Sequence, residues 1–178
     1  MHLTQKEKDH LKELAIESIK GKFENEPEPE LGIDSETLKT NCGAFVTLKT
    51  RGSLRGCIGL VVGMKPLYKT ITEMARAAAF DDPRFAPLTK DEVDKLEIEI
   101  SALSPLEKID DPAQIEVGKH GIMLQHGYHS GLLLPQVATE YGWDRTTFLK
   151  HTCLKAGLPE NAWRDPEAEI RIFSAEVF

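Results

Sequence analysis

The sequence predicts an α+β domain whose sheet is mixed or antiparallel and whose strands and helices fall into two similar halves. Three observations carry that prediction. The hydrophobic pattern alternates between a strand period of two and a helical period along the chain. The order of strands followed by helices occurs twice. Finally, 178 residues with 40% hydrophobic and 29% charged content suit one ordinary globular domain with a core of its own.

The elements follow in order. "TQKE" opens a helix: Thr4 caps it while Glu7 reaches back, Leu11, Leu14, Ala15 and Ile19 share a face, and Gly21 is the expected stop. Residues 1–22 are therefore read as an N-terminal helix and 23–42, containing "ENEPEPELG", as an acidic, proline-rich connector. Residues 43–178 form the core that bears the motifs. Ala44, Val46 and Leu48 alternate as one side of a strand, "TRGS" turns, and "LRGCIGLVV" returns, predicting a β-hairpin. "KPLYKTITEMARAAAF" reads as a helix with Pro66 in its first turn and a core stripe of Leu67, Ile71, Met74, Ala75 and Ala78. "DDPRFAP" ends it, because a residue before proline avoids helical backbone. Thr89 and Glu92 form a capping box for a short helix, and "LEIEISAL" is a strand with Leu96, Ile98 and Ile100 inward. In the second half "DDPAQI" is one helical turn, and "GIMLQHGYHSGLLLP" is two strands joined at Gly127 to Gly131. Two helices follow, the second capped by Asp144 and ended by Gly157, and "EIRIFSAEVF" closes the chain as a strand.

Composition excludes several function classes. The formal net charge of -7 disfavours general attraction to nucleic acid. No apolar run is long enough to span a membrane, and the charged N-terminus lacks the apolar core of a signal peptide. The expected location is cytoplasmic, where Cys42, Cys57 and Cys153, odd in number and without zinc or redox spacing, would be thiols. "GSLRGCIG" lacks the lysine and following Ser/Thr of a phosphate-binding loop. Neither a serine-nucleophile elbow nor a zinc-protease helix is present.

What remains is the stretch around Cys57. In an extended segment Leu54, Gly56 and Ile58 share one face, and Arg55, Cys57 and Gly59 the other. A guanidinium beside a thiol favours thiolate, and glycines let a backbone or ligand approach closely. Arg55 and Cys57 are thus catalytic candidates, and Gly56 and Gly59 binding candidates. The alternative is that Cys57 is a small packing residue among glycines that mark a bulge. A nucleophilic cysteine also needs a base; His120, His126, His129 and His151 are available, with His126 and His129 placed around the "HGYH" turn. A metal bound by His126 and His129 with Asp81 or Asp82 matches no known ligand spacing, so no metal is assigned. In "DDPRF", Asp81 can cap a turn, Asp82 can pair with Arg84, and Phe85 can anchor the loop in the core. The functional version has Arg84 and Asp82 at a binding site, with Arg84 gripping a carboxylate or phosphate. Trp143 and Trp163 read as packing.

Taken together, "GAFVTLKTRGSLRGCIG", "KPL", "DDPRFAPL", "LEIEISALSPLEKI", "GKHGIMLQHGYHSGLLLPQVATEYGWD", "FLKHTCLKAGLP" and a late tryptophan, in that order, resemble the AMMECR family. Its microbial members are called AmmeMemoRadiSam system protein A. The likeness runs from Gly43 to the C-terminus, and the N-terminal helix fits as well. The resemblance implies a single domain of two similar halves around a mixed, barrel-like sheet. It also implies genomic company with a Memo-like protein and a radical S-adenosylmethionine enzyme. The family's hallmark segment matches Leu54 to Gly59. The resemblance assigns no reaction, no cofactor and no defined substrate: a thiol site for a small-molecule or protein substrate and a non-catalytic binding or adaptor module both stay open.

Overall fold

The structure is a computed structural model that describes residues 2–178. It contains helices and strands in the α+β sense, and every strand pair described is antiparallel. The chain divides into two compact units: residues 1–105 with 176–178, and residues 106–175.

The first unit begins with helix α1, Gln5–Phe23. Thr4 and Glu7 close the expected capping box. The helix runs two residues past the expected stop at Gly21, because the left-handed residue that ends it is Asn25, at φ +58°. Gly21 is buried instead, with Glu26 and Arg76 close to where a side chain would stand. Within the acidic connector, Ser35 caps a single-turn helix α2, Glu36–Lys39. Strands β1, Ala44–Thr50, and β2, Ser53–Leu60, form the hairpin. Arg51 and Gly52 make its turn, both with positive φ, at 53° and 74°, which matches the twist of a two-residue hairpin loop.

Strand β3, Leu96–Leu103, pairs with the other side of β1, so β1 is central and β2 is an edge. Helix α3, Leu67–Phe80, lies on the face carrying Ala44, Val46 and Leu48, and Pro66 serves as its N-cap rather than as a helical residue. Thr89 and Glu92 cap the short helix α4, Lys90–Val93. Leu11, Leu14 and Ile19 of α1, the α3 stripe, and Val46, Leu48 and Ile100 of the sheet make one continuous core. The C-terminal residues complete this unit. Phe178 exchanges backbone hydrogen bonds with Ile100, and Glu176 accepts from Lys8 and from the Leu3 amide.

The second unit has the expected hairpin, β5, His120–His126, with β6, His129–Leu133. Its turn is tighter than expected. Gly127 and Tyr128 make the loop, His126 and His129 face each other across the last rung, and the strand resumes at His129. Helices α5, Pro135–Glu140, and α6, Arg145–Lys155, follow, with Asp144 capping α6 through the Thr147 amide. Strand β7, Glu169–Val177, pairs with β5 on one side. On its other side lies β4, Glu107–Ile109, a strand too short to show a period in the sequence. A separate core of Ile115, Ile122, Leu124, Phe148, Leu149 and Cys153 holds the unit together. Trp143 and Trp163 pack against it; the Trp143 ring stacks on His151 at 3.9 Å. Among the described residues no helix is long and apolar enough to cross a membrane.

Candidate functional site

An edge strand exposes every second pair of backbone N–H and C=O groups. On β2 the Cys57 pair points outward, and the loop after α3 meets it. The Cys57 amide donates to Asp82 Oδ2 at 2.9 Å, and the Cys57 carbonyl accepts from Arg84 Nη2 at 3.2 Å. One carboxylate and one guanidinium thus stand in for a neighbouring strand. They are locked to each other as well. Asp82 Oδ1 accepts from Arg84 Nε at 2.9 Å and from the Arg84 amide at 3.1 Å, and Oδ2 accepts from Arg84 Nη2 at 2.7 Å. The loop is anchored behind the clamp by buried Leu88, whose amide donates to the Ala79 carbonyl. Arg84 and then the Cys57 amide hold the Asp82 carboxyl far below the usual carboxylate range. Arg84 is raised in turn, chiefly by its hydrogen bond to Asp82.

The Cys57 side chain lies on the sheet face opposite the core. Its register partner is Thr47, and the sulfur is 3.2 Å from Thr47 Oγ1. It is half-buried, whereas Cys42 and Cys153 are buried, and burial pushes both of those thiols up in pKa. Sequence alternation assigns Cys57 and Gly59 to one face, and their partners Thr47 and Phe45 share it. At Arg55 the alternation breaks. The register slips between Leu48 and Lys49, pairing them with Gly56 and Leu54 and leaving Arg55 as the extra residue of a β-bulge. Its guanidinium runs to the short helix, with Nε 2.8 Å from Glu92 Oε1 and Nη2 3.1 Å from Oε2. That bidentate pair, backed by the Thr89 amide, lowers Glu92 to about 2. Phe85 is not a core anchor. Its ring is half-exposed between two guanidiniums, 6.0 Å from that of Arg55 and 5.6 Å from that of Arg84.

The two glycines open no space for a ligand. A Cβ on Gly56 would stand 2.1 Å from the Ala78 carbonyl oxygen, so its emptiness is filled by α3. One on Gly59 would stand 2.2 Å from the Phe45 ring. Asp81 is the C-cap of α3, and the turn-capping carboxylate is Asp82. His126 and His129 belong to the second unit, where His126 Nε2 is 3.4 Å from Asp165 Oδ2 and His129 is exposed. The hydrogen-bonding neighbour of the Cys57 sulfur is the Thr47 hydroxyl. Sequence reasoning missed Thr47, Glu92 and Asp165. Counting hairpin register from the "TRGS" turn would pair Cys57 with Val46; the extra residue at Arg55 shifts the partner by one, to Thr47. Glu92 had a visible role as a capping residue that concealed its second one.

These features define a class: α+β proteins in which a helix-backed antiparallel hairpin presents a half-exposed cysteine on an edge strand clamped by an Asp–Arg loop. The AMMECR1 family model matches residues 12–178, and the chain belongs to that family. A protein of Aquifex aeolicus is 47% identical over 150 residues, covering 80% of this chain and 77% of its own length. Protein MK0488 of Methanopyrus kandleri is 43% identical over 185 residues, covering 99% and 89%. The crystal structure of the uncharacterized protein PH0010 from Pyrococcus horikoshii superposes with a TM-score of 0.78 at 39% identity, covering 94% of this chain and 88% of that one.

Proposed function

We propose that the protein works in a cytoplasmic system with a Memo-like protein and a radical S-adenosylmethionine enzyme, and that the Cys57 thiol is the point at which it handles a small-molecule or protein group. One observation carries this reading. Of the three cysteines Cys57 is the half-exposed one, its backbone is held on both sides by Asp82 and Arg84, and the Arg84 guanidinium borders it. A reacting or binding group needs such fixed support. Arg55 is not assigned to the chemistry, because Glu92 already occupies its donor fork.

A second reading, a binding or adaptor module, is favoured by a different observation. The charged groups around Cys57 are all satisfied by one another, and the sulfur's hydrogen-bonding neighbour is a threonine rather than a base. Reconstitution with the purified Memo-like and radical enzymes of the same genome separates the two. A complex in which iodoacetamide no longer reaches Cys57, and whose turnover disappears with Cys57→Ser, supports the thiol reading. A complex with turnover unchanged by Cys57→Ser makes the protein an adaptor, and the absence of any complex refutes the system assignment.

A further inference from the structure

We propose that His126, Asp165 and Glu167, in the second unit, form a binding site for a divalent transition-metal ion, with Zn²⁺ the best chemical match. Each side chain offers one ligand atom, and the three atoms lie within 4.8 Å of one another. They come from two segments about forty residues apart in sequence, the end of β5 and the turn before β7. The turn is rigid. The Asp165 amide donates to the Ala162 carbonyl, the Ala168 amide donates to the Asp165 carbonyl, and Asp165 Oδ1 accepts from the Glu167 amide at 2.9 Å. The remaining oxygen, Oδ2, is the one that faces the histidine.

An independent observation lies in the histidine itself. Its Nε2 is shielded from solvent and has no hydrogen-bond partner, although Asp165 Oδ2 is only 3.4 Å away. The two atoms are close but not aligned as donor and acceptor. A buried ring nitrogen left in that state is costly unless something binds it. Two ligand atoms on a tetrahedral ion at about 2.0–2.2 Å are themselves about 3.4 Å apart, so His126 and Asp165 already stand at a spacing an ion can bridge, and the Glu167 oxygen, within 4.8 Å of them, closes in on binding. An imidazole with two carboxylates suits zinc and its neighbours in the transition series; magnesium and calcium prefer oxygen alone. Three protein ligands leave a fourth position for water or a bound group. Asp165 also lines a cleft of about 460 Å³ that Lys108 and Arg164 border.

Isothermal titration of the chelator-stripped full chain with zinc chloride tests the site. We expect one equivalent to bind, His126→Ala and Glu167→Gln each to weaken binding at least about tenfold, and His129→Ala to leave it unchanged. Glu167 is exposed, so its variant carries the test even if His126→Ala fails to fold. Cobalt in place of zinc should give visible d–d bands without a thiolate charge-transfer band. No binding, binding that survives Glu167→Gln, or a thiolate band would each overturn the proposal.

Discussion

The pair between Arg55 and Glu92 can be tested through its charge alone. Glu92→Gln keeps an oxygen for the Thr89 amide, since glutamine also completes a capping box, but removes the ionised acceptor of the guanidinium. Both side chains are largely shielded, at 16% and 29% exposure, so solvent screening removes only part of the interaction. Glu92 falls from an ordinary 4.5 to about 2 in the folded protein. At about 1.36 kcal/mol per unit, that difference sets a contribution of about 3 kcal/mol at neutral pH. A depressed carboxylate stabilises fully above its unfolded pKa, and the contribution fades as pH falls through the folded one. The gap between wild type and variant should therefore be about 3 kcal/mol at pH 7 and shrink to about 1.5 kcal/mol near pH 3. Urea denaturation followed by tryptophan fluorescence and far-UV circular dichroism at both pH values measures it. A variant within about 0.5 kcal/mol of wild type at pH 7, or a gap that does not narrow in acid, would refute the reasoning, because a charge-assisted pair must respond to losing the charge.

Three further outcomes follow from the same geometry. Asp82→Ala removes the carboxylate that accepts the Cys57 amide, and hydrogen exchange at that amide should accelerate about tenfold or more, whereas Arg84→Ala, which leaves the carboxylate in place, should accelerate it less. Gly56→Ala drives a Cβ against the Ala78 carbonyl and should lower stability by about 2–3 kcal/mol in thermal unfolding. Gly52→Ala meets no atoms within 4 Å yet sits at φ +74°, so its cost should be about 1–2 kcal/mol and come from backbone strain alone.

Legibility in the sequence divides along a physical line. Elements set by short-range pattern were readable. The Thr4 and Thr89 capping boxes, the "TRGS" hairpin turn, the α3 stripe and the Asp144 cap all depend on residues within one or two turns of each other. The helix end at Phe23, just before left-handed Asn25, was not, because a glycine signals a stop only when its backbone is left-handed, and packing of Gly21 near Arg76 used that glycine for closeness instead. The candidate site failed to resolve for a related reason. Strand alternation is a rule about an unbroken ladder, and one extra residue at Arg55 is enough to cancel it. Once the ladder slips, the guanidinium is free to reach Glu92, thirty-seven positions along the chain. The cation that borders Cys57 is then Arg84, from a loop whose "DDPRF" reads locally as a turn. Both facts follow from β2 being an edge strand: only an edge tolerates a bulge so easily and has outward backbone groups for a loop to bind. Strand order, which no local pattern encodes, therefore decides which arginine stands beside the thiol. The same dependence makes the Asp82–Arg84 clamp, rather than Arg55, the feature whose loss should most change how reagents reach Cys57.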